Sequence, residues 1–172
     1  MAKKGRKPKP AARRSATEVR VRQVPAENEW ELLHPRCALE RTDDIQEVET
    51  ILAADENEVA MDELRWLLSG CSDFIQAHRM LGELALAAGD LSLARGHFGF
   101  AFHAGAKAWK KAGKPSPLPY RRQANRDFFE SGKGLVHCLQ QAKKRQMVQE
   151  VVEVMLACDP TDPLAVRRLV QT

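Results

Sequence analysis

Apolar residues recur every three or four positions through most of this chain, the spacing of amphipathic helices rather than strands. From 43 to about 54, Ile45, Val48, Ile51 and Leu52 share one face, with Asp43 placed to cap the start. Asn57 opens a second stretch with Ala60, Leu64, Leu67 and Leu68 inward, and Gly70 ends it. A third begins at Ser72 or Asp73, carries Ile75, Ala77, His78, Leu81, Leu84 and Ala85, and closes at Gly89. Asp90 can cap a fourth holding Leu93, Ala94, Phe98, Ala101 and Phe102. Three prolines within 113–119 interrupt the pattern, and whether 107–119 prolongs the fourth helix stays open. Helices are then predicted from about 120 to 141 and from about 145 to 157. Asp162 followed by Pro163 predicts a cap and first-turn proline for a short last helix. The fold class this implies is all-α.

Residues 1–28 lack the pattern. They are charged, punctuated by proline and poor in large apolar groups, so they bury too little to offset their ordering entropy. The alternation Val19, Val21 is too short to predict a strand. The chain therefore divides into a disordered basic tail, 1–28, and a helical domain, 29–172.

The helical pattern repeats. Shifted by 34 residues, Val48 falls on Gly82, Ile51 on Ala85, Ala60 on Ala94, Leu64 on Phe98 and Leu67 on Ala101. Leu81-Gly82, the turn Gly89-Asp90, and Ala94 followed by Phe98 and Ala101 resemble the tetratricopeptide repeat over 75–108. Gly82 and Ala94 would let two helices approach, and Phe98 would fill the space between them and the next repeat. A unit at 41–74 departs from the family with Glu47 and Asp55, and a third aligns at 129–162 after an insertion of about twenty residues. Ala85, His78 and Ala106 stand where the family prefers an aromatic, a tryptophan and a proline. The resemblance implies a stack of about three antiparallel helix pairs, near the minimum for stability. Trp30, Leu32 and Leu33 would cover the first repeat, and Leu164, Val166 and Leu169 the last. Self-association into a homodimer is the alternative way to cover an apolar end.

The same resemblance implies a protein-binding groove lined by the first helix of each unit. It would present Gln76, Arg79 and Glu83 from the best repeat, Thr42, Ile45 and Glu49 from the unit before, and Glu130, Lys133 and His137 from the third. The plainer reading of these residues is a solvated helix face. The lysines, asparagine and arginine with which some relatives clamp a peptide carboxylate are absent, so that specificity is not implied. The expected partner is another protein or peptide.

The net charge of +4 conceals strong segregation: +8 over 1–25, −11 over 26–63, neutral over 64–106, +9 over 107–145 and −2 over 146–172. The tail cations Lys3, Lys4, Arg6, Lys7, Lys9, Arg13 and Arg14 suit nonspecific contact with nucleic acid. Around Gly5 they resemble an AT-hook, with Lys4 in place of its first arginine and an extra lysine before Pro8. The 107–145 segment interleaves Trp109 and Tyr120 with its bases, the composition of a nucleic-acid surface. It is equally a solvated face, or the complement of the protein's own acidic segment. A nucleic-acid-associated protein is thus the alternative function.

Other chemistry finds little footing. No apolar stretch follows the basic N-terminus, and no run approaches the ~20 apolar residues that span a bilayer. Neither a secretion signal nor membrane contact is expected. Cys37, Cys71, Cys138 and Cys158 show no C-x-x-C pairing and are expected as reduced thiols in the cytoplasm. His34, Cys37, Cys71 and His78 offer a zinc ligand set at spacings that fit no standard module, so a structural histidine and free thiols are expected, with no metal and no cofactor. Gly132-Lys133-Gly134 resembles a phosphate loop but has Asp127 in place of its first glycine and no Ser or Thr after the lysine. His97, His103 and His137 have no evident nucleophile or carboxylate beside them. A non-catalytic protein is expected.

Overall fold

The computed structural model describes residues 17–170. Strands β1 (Arg20–Val24) and β2 (Glu29–Leu33) form an antiparallel hairpin, followed by helices α1 (Arg36–Leu39), α2 (Thr42–Ala53), α3 (Asn57–Gly70), α4 (Ile75–Ala87), α5 (Leu91–Lys111), α6 (Gln123–Gln141) and α7 (Arg145–Cys158). A 3-10 turn over Val166–Val170 closes the described chain, with Asp162 accepting from the Val166 and Arg167 amides. The protein is mostly helical. Residues 17–28 correct the expectation of a disordered tail, because β1 and its turn are built from them. They also correct an all-α chain to a helical one with a strand hairpin. The rest of that tail, residues 1–16, lies outside the described residues.

Helices follow each other as short hairpins. Four helices end in the same way, with a left-handed residue at Asp55, Gly89, Gly113 and Lys143. In each, the next amide reaches back five residues: Glu56 to Ile51, Asp90 to Ala85, Lys114 to Trp109, and Lys144 to Leu139. The left-handed residue's own amide reaches back three, to Leu52, Leu86, Lys110 and Gln140. This pairing satisfies the last orphan carbonyls and turns the chain sharply. Asp90 also caps α5, accepting from the Leu93 amide at 2.9 Å. Asp43 does not cap α2; it lies within that helix's first turn.

Phe98 of α5 sets the spacing of three helices. A methyl carbon placed on Gly82 of α4 would lie 2.7 Å from its ring, and one on Gly134 of α6 also 2.7 Å. Phe102 rests on Gly132 and Phe128 on Gly105, so α5 and α6 run antiparallel with rings seated on glycine backbone. Gly132-Lys133-Gly134 is therefore mid-helix packing, not a phosphate loop. Helix α4 is the seam between two cores. Ile75 and Ala85 join the larger one with α5, α6, α7 and the hairpin, while Ala77, Met80 and Leu81 join the smaller one with α1, α2 and α3.

The insertion predicted ahead of the third unit takes two forms. Helix α5 continues to Lys111, and residues 112–122 cross to α6 with a cis Ser116–Pro117 bond. The hairpin docks on this segment. Trp30 donates its amide to the Pro117 carbonyl at 2.9 Å, and fully buried Asn125 accepts from the Leu32 amide at 2.8 Å. Asn125 Nδ2 also donates to the Pro119 and Trp30 carbonyls. Val19, Val21, Trp30 and Leu32 turn inward.

Cys37 and Cys71 are joined in a disulfide, which corrects the expectation of four free thiols; Cys138 and Cys158 are free and buried. The bond ties α1 to the end of α3 across 34 residues of sequence.

Two expectations follow. Gly82→Trp drives a large ring into Phe98 and lowers the melting temperature sharply. Gly96→Ala, with nothing within 4 Å of the new methyl group, raises stability by about 0.5–1 kcal/mol. Equal melts for Gly82→Trp and wild type would refute the packing. Loop-closure entropy for the 34-residue link predicts that reduction removes about 3–4 kcal/mol. Urea unfolding with and without dithiothreitol, with Cys37→Ser as control, measures it.

Candidate protein-interaction face

Helices α4 and α6 lie side by side, and a polar network joins them. Arg79 donates through Nε to Asp127 Oδ1 at 2.6 Å and through Nη1 to Glu83 Oε1 at 2.5 Å. Burial works against the Arg79 charge, but the two carboxylates outweigh it and hold the guanidinium pKa above its ordinary value. Each side chain of the Arg79–Asp127 pair is about one-fifth exposed, so the pair is worth more than a surface ion pair. Below it, the Tyr120 hydroxyl donates to Glu130 Oε1 at 2.5 Å, and this bond, with burial second, raises the tyrosine pKa.

The expected groove residues are thus placed unequally. Arg79 and Glu83 come together with Asp127. Gln76 is half-buried on α4, and Lys133 and His137 are exposed one turn apart on α6. Glu49 is exposed on α2, and nothing ties it to the others. Ile45 is a correction: it is 4% exposed, inside the smaller core with Ala38 of α1, so it faces no groove. Thr42 is exposed and donates to the Leu39 carbonyl. Asp127 is the residue sequence reasoning missed; it stands 48 positions from Arg79, just ahead of the segment aligned as the third unit.

The basic residues are placed differently from their order in sequence. Lys3, Lys4, Arg6, Lys7, Lys9, Arg13 and Arg14 lie outside the described residues. Trp109 is 4% exposed and donates its indole N–H to the Pro115 carbonyl, so it offers no stacking face. Arg121 and Arg122 are clasped by Glu27, Glu29 and Glu31 of the hairpin. That part of the basic segment does complement the protein's own acidic one. Lys107, Lys110 and Lys114 remain exposed at the end of α5, and Lys143, Lys144 and Arg145 at the α6–α7 turn.

The residues weighed as zinc ligands are dispersed into other roles. Cys37 and Cys71 bond each other, and His34 Nε2 meets the Ala124 carbonyl at 2.8 Å. His78 Nε2 lies 3.1 Å from the Ser72 carbonyl, so that nitrogen carries the proton, and Nδ1 accepts from His97 Nδ1 at 3.1 Å. Phe100 stacks on the His78 ring. Burial first, and His97 with it, push the His78 pKa down to about 4; burial and Arg65 lower that of His97. No helix among the described residues is long and apolar enough to cross a membrane. No protein-family model, curated protein or solved structure matches this chain.

His78 supplies a pH prediction. Its folded pKa lies below the unfolded value, so the unfolded chain takes up the proton first as pH falls. The stability present above about 6.5 is lost progressively down to about 4. Between pH 7 and 4.5 wild type should lose about 2–3 kcal/mol more than His78→Gln, which carries no such proton. Parallel loss in both proteins, by urea titration at each pH, would remove His78 from the account.

Proposed function

We propose that this chain is a helical-repeat protein of the tetratricopeptide type, and that it binds another protein through the α4–α6 face without catalysis. The observation that carries this reading is the recurring turn. Asp55, Gly89 and Lys143 adopt the same conformation with the same two backbone bonds, separated by 34 and then 54 positions. Those are the offsets at which units 41–74, 75–108 and 129–162 align. Glycine has no steric objection to that conformation, whereas Asp55 and Lys143 adopt it against preference. Gly113 closes α5 with the same two bonds, so the turn by itself marks any helix end here; what supports a repeat is that the other three occurrences fall at the aligned positions.

Such a scaffold presents its face already formed. A docking segment then loses its own freedom while the protein loses little. Arg79, held by Asp127 and Glu83, acts as part of the wall, and Lys133 and His137 are the side chains left to meet a partner. A cytoplasmic location is part of the proposal only if the chain works with Cys37–Cys71 reduced, since disulfides persist mainly in oxidising compartments.

Affinity capture from nuclease-treated lysate tests the function. Full-length wild type should retain a defined set of proteins, and Lys133→Glu with His137→Glu should lose it at an unchanged melting temperature. Retention that disappears with nuclease would favour the nucleic-acid alternative. Retention indifferent to both substitutions would move the binding face elsewhere.

A further inference from the structure

The hairpin has one satisfied edge and one open edge. On β2, the Trp30 amide and carbonyl and the Leu32 amide point away from β1, because Pro117 and Asn125 receive them. Residues opposite each other in an antiparallel ladder share that direction. Leu32 faces Val21 and Trp30 faces Gln23. The backbone N–H and C=O groups of Val21 and Gln23 therefore point outward from β1, and no group among the described residues meets them. An unpaired strand edge is a template for another strand.

Beside that edge the surface is not flat. Glu18 and Val19, leading into β1, face Phe100, His103 and Lys107 of α5 across a cavity of about 190 Å³, with Asp73 at its side. Phe100 is 44% exposed. Lys107, Lys110 and Lys114 have no ion-pair partner among the described residues, nor has Arg20, while Lys111 reaches Glu18 only at 3.8 Å. The groove thus combines free backbone and an aromatic surface; within it Lys107 and Lys111 balance Glu18 and Asp73, and the unpaired Lys110, Lys114 and Arg20 make its surroundings positive.

We propose that β1 accepts a third strand, an extended acidic segment of a partner protein, laid between the strand edge and α5. Its backbone pairs with Val21 and Gln23. Alternation then sets its side chains. Those beside Val19 and Val21 turn toward α5 and are apolar, one of them resting on Phe100. Those on the opposite face are exposed to solvent and are acidic, drawn by Arg20 and the α5 lysines, since Arg22 is already paired with Glu31. Backbone pairing supplies affinity and the alternate pockets supply selectivity. This site is separate from the α4–α6 face and stands or falls independently of it.

A phage library of random dodecapeptides, selected on the full-length protein, tests the proposal. Enriched peptides should alternate apolar and acidic residues. Bound as synthetic peptides, they should slow amide exchange at Val21 and Gln23. Gln23→Pro removes an outward N–H that the hairpin does not use, so it should weaken binding roughly ten-fold or more. Lys107→Glu, on the exposed face of α5, should weaken the same peptides without altering the melt. The proposal is overturned if no peptides enrich, or if they bind Gln23→Pro as wild type. Should Gln23→Pro destabilise the fold, unchanged exchange at Val21 and Gln23 in wild type overturns it instead. A concentration-dependent dimer in sedimentation that Gln23→Pro abolishes would make the occupant a second copy of this chain, and the acidic-peptide reading would fail.

Discussion

The Phe98 ring, held between the backbones of Gly82 and Gly134, is the contact from which the larger core takes its dimensions. A side chain on either glycine would meet the Phe98 ring and push a helix outward, because the ring cannot retreat from one glycine without running into the backbone of the other. The same device recurs at Phe102 with Gly132 and at Phe128 with Gly105. Close-packed interiors transmit such displacements rather than absorb them. The separation of α4 from α6, and with it the reach of Arg79 to Asp127, follows from the depth at which Phe98 sits. An ion pair with an Nε to Oδ1 distance of 2.6 Å tolerates little drift in that spacing.

The insertion and the hairpin solve a second problem together. Helix α5 and the start of α6 extend beyond the α4–α5 turn contacts, and their apolar flank needs a cover. Val19, Val21, Trp30 and Leu32 provide it. A two-stranded hairpin is marginal alone in water. Here Asn125 spends its amide on three main-chain groups, two from β2 and one from the crossing loop. Buried without those partners it would be costly. With them it fixes β2 as the inner strand and leaves β1 as the open edge.

Periodicity made the helices legible, to within a few residues at each end, because each buries one face of a 3.6-residue spiral. Gly82, Phe98, Gly89 and Asp90 were legible too, since their roles depend on neighbours within one hairpin. The hairpin strands were not. Each is five residues long, and what orders them is Asn125 and Pro117, some ninety positions away. Ile45 was misplaced for a related reason: the repeat register put it on an open face, and α1, which belongs to no repeat, covers that face. Cys37 and Cys71 carry no local signal, because their proximity exists only once α1 folds against α3. Asp127 was hidden in the same way from Arg79.

Charge was the most misleading one-dimensional feature. In sequence, 107–145 is a single basic block. In the fold, α5 and α6 are antiparallel, so Lys107, Lys110 and Lys114 sit near the start of α6, whereas Lys143, Lys144 and Arg145 sit past its end. The 19 residues of α6 separate the two groups by about 28 Å. That exceeds the screening length of about 8 Å at physiological salt several times over, so the clusters act separately. Arg121 and Arg122, at the start of α6, are neutralised by Glu27, Glu29 and Glu31, while Arg126 and Lys133 stand exposed along α6 between the two groups. A polyanion crossing this surface would meet two dense patches with only isolated bases between them. Each patch is better matched to a short acidic segment, and the one on α5 is the one with an open strand edge beside it.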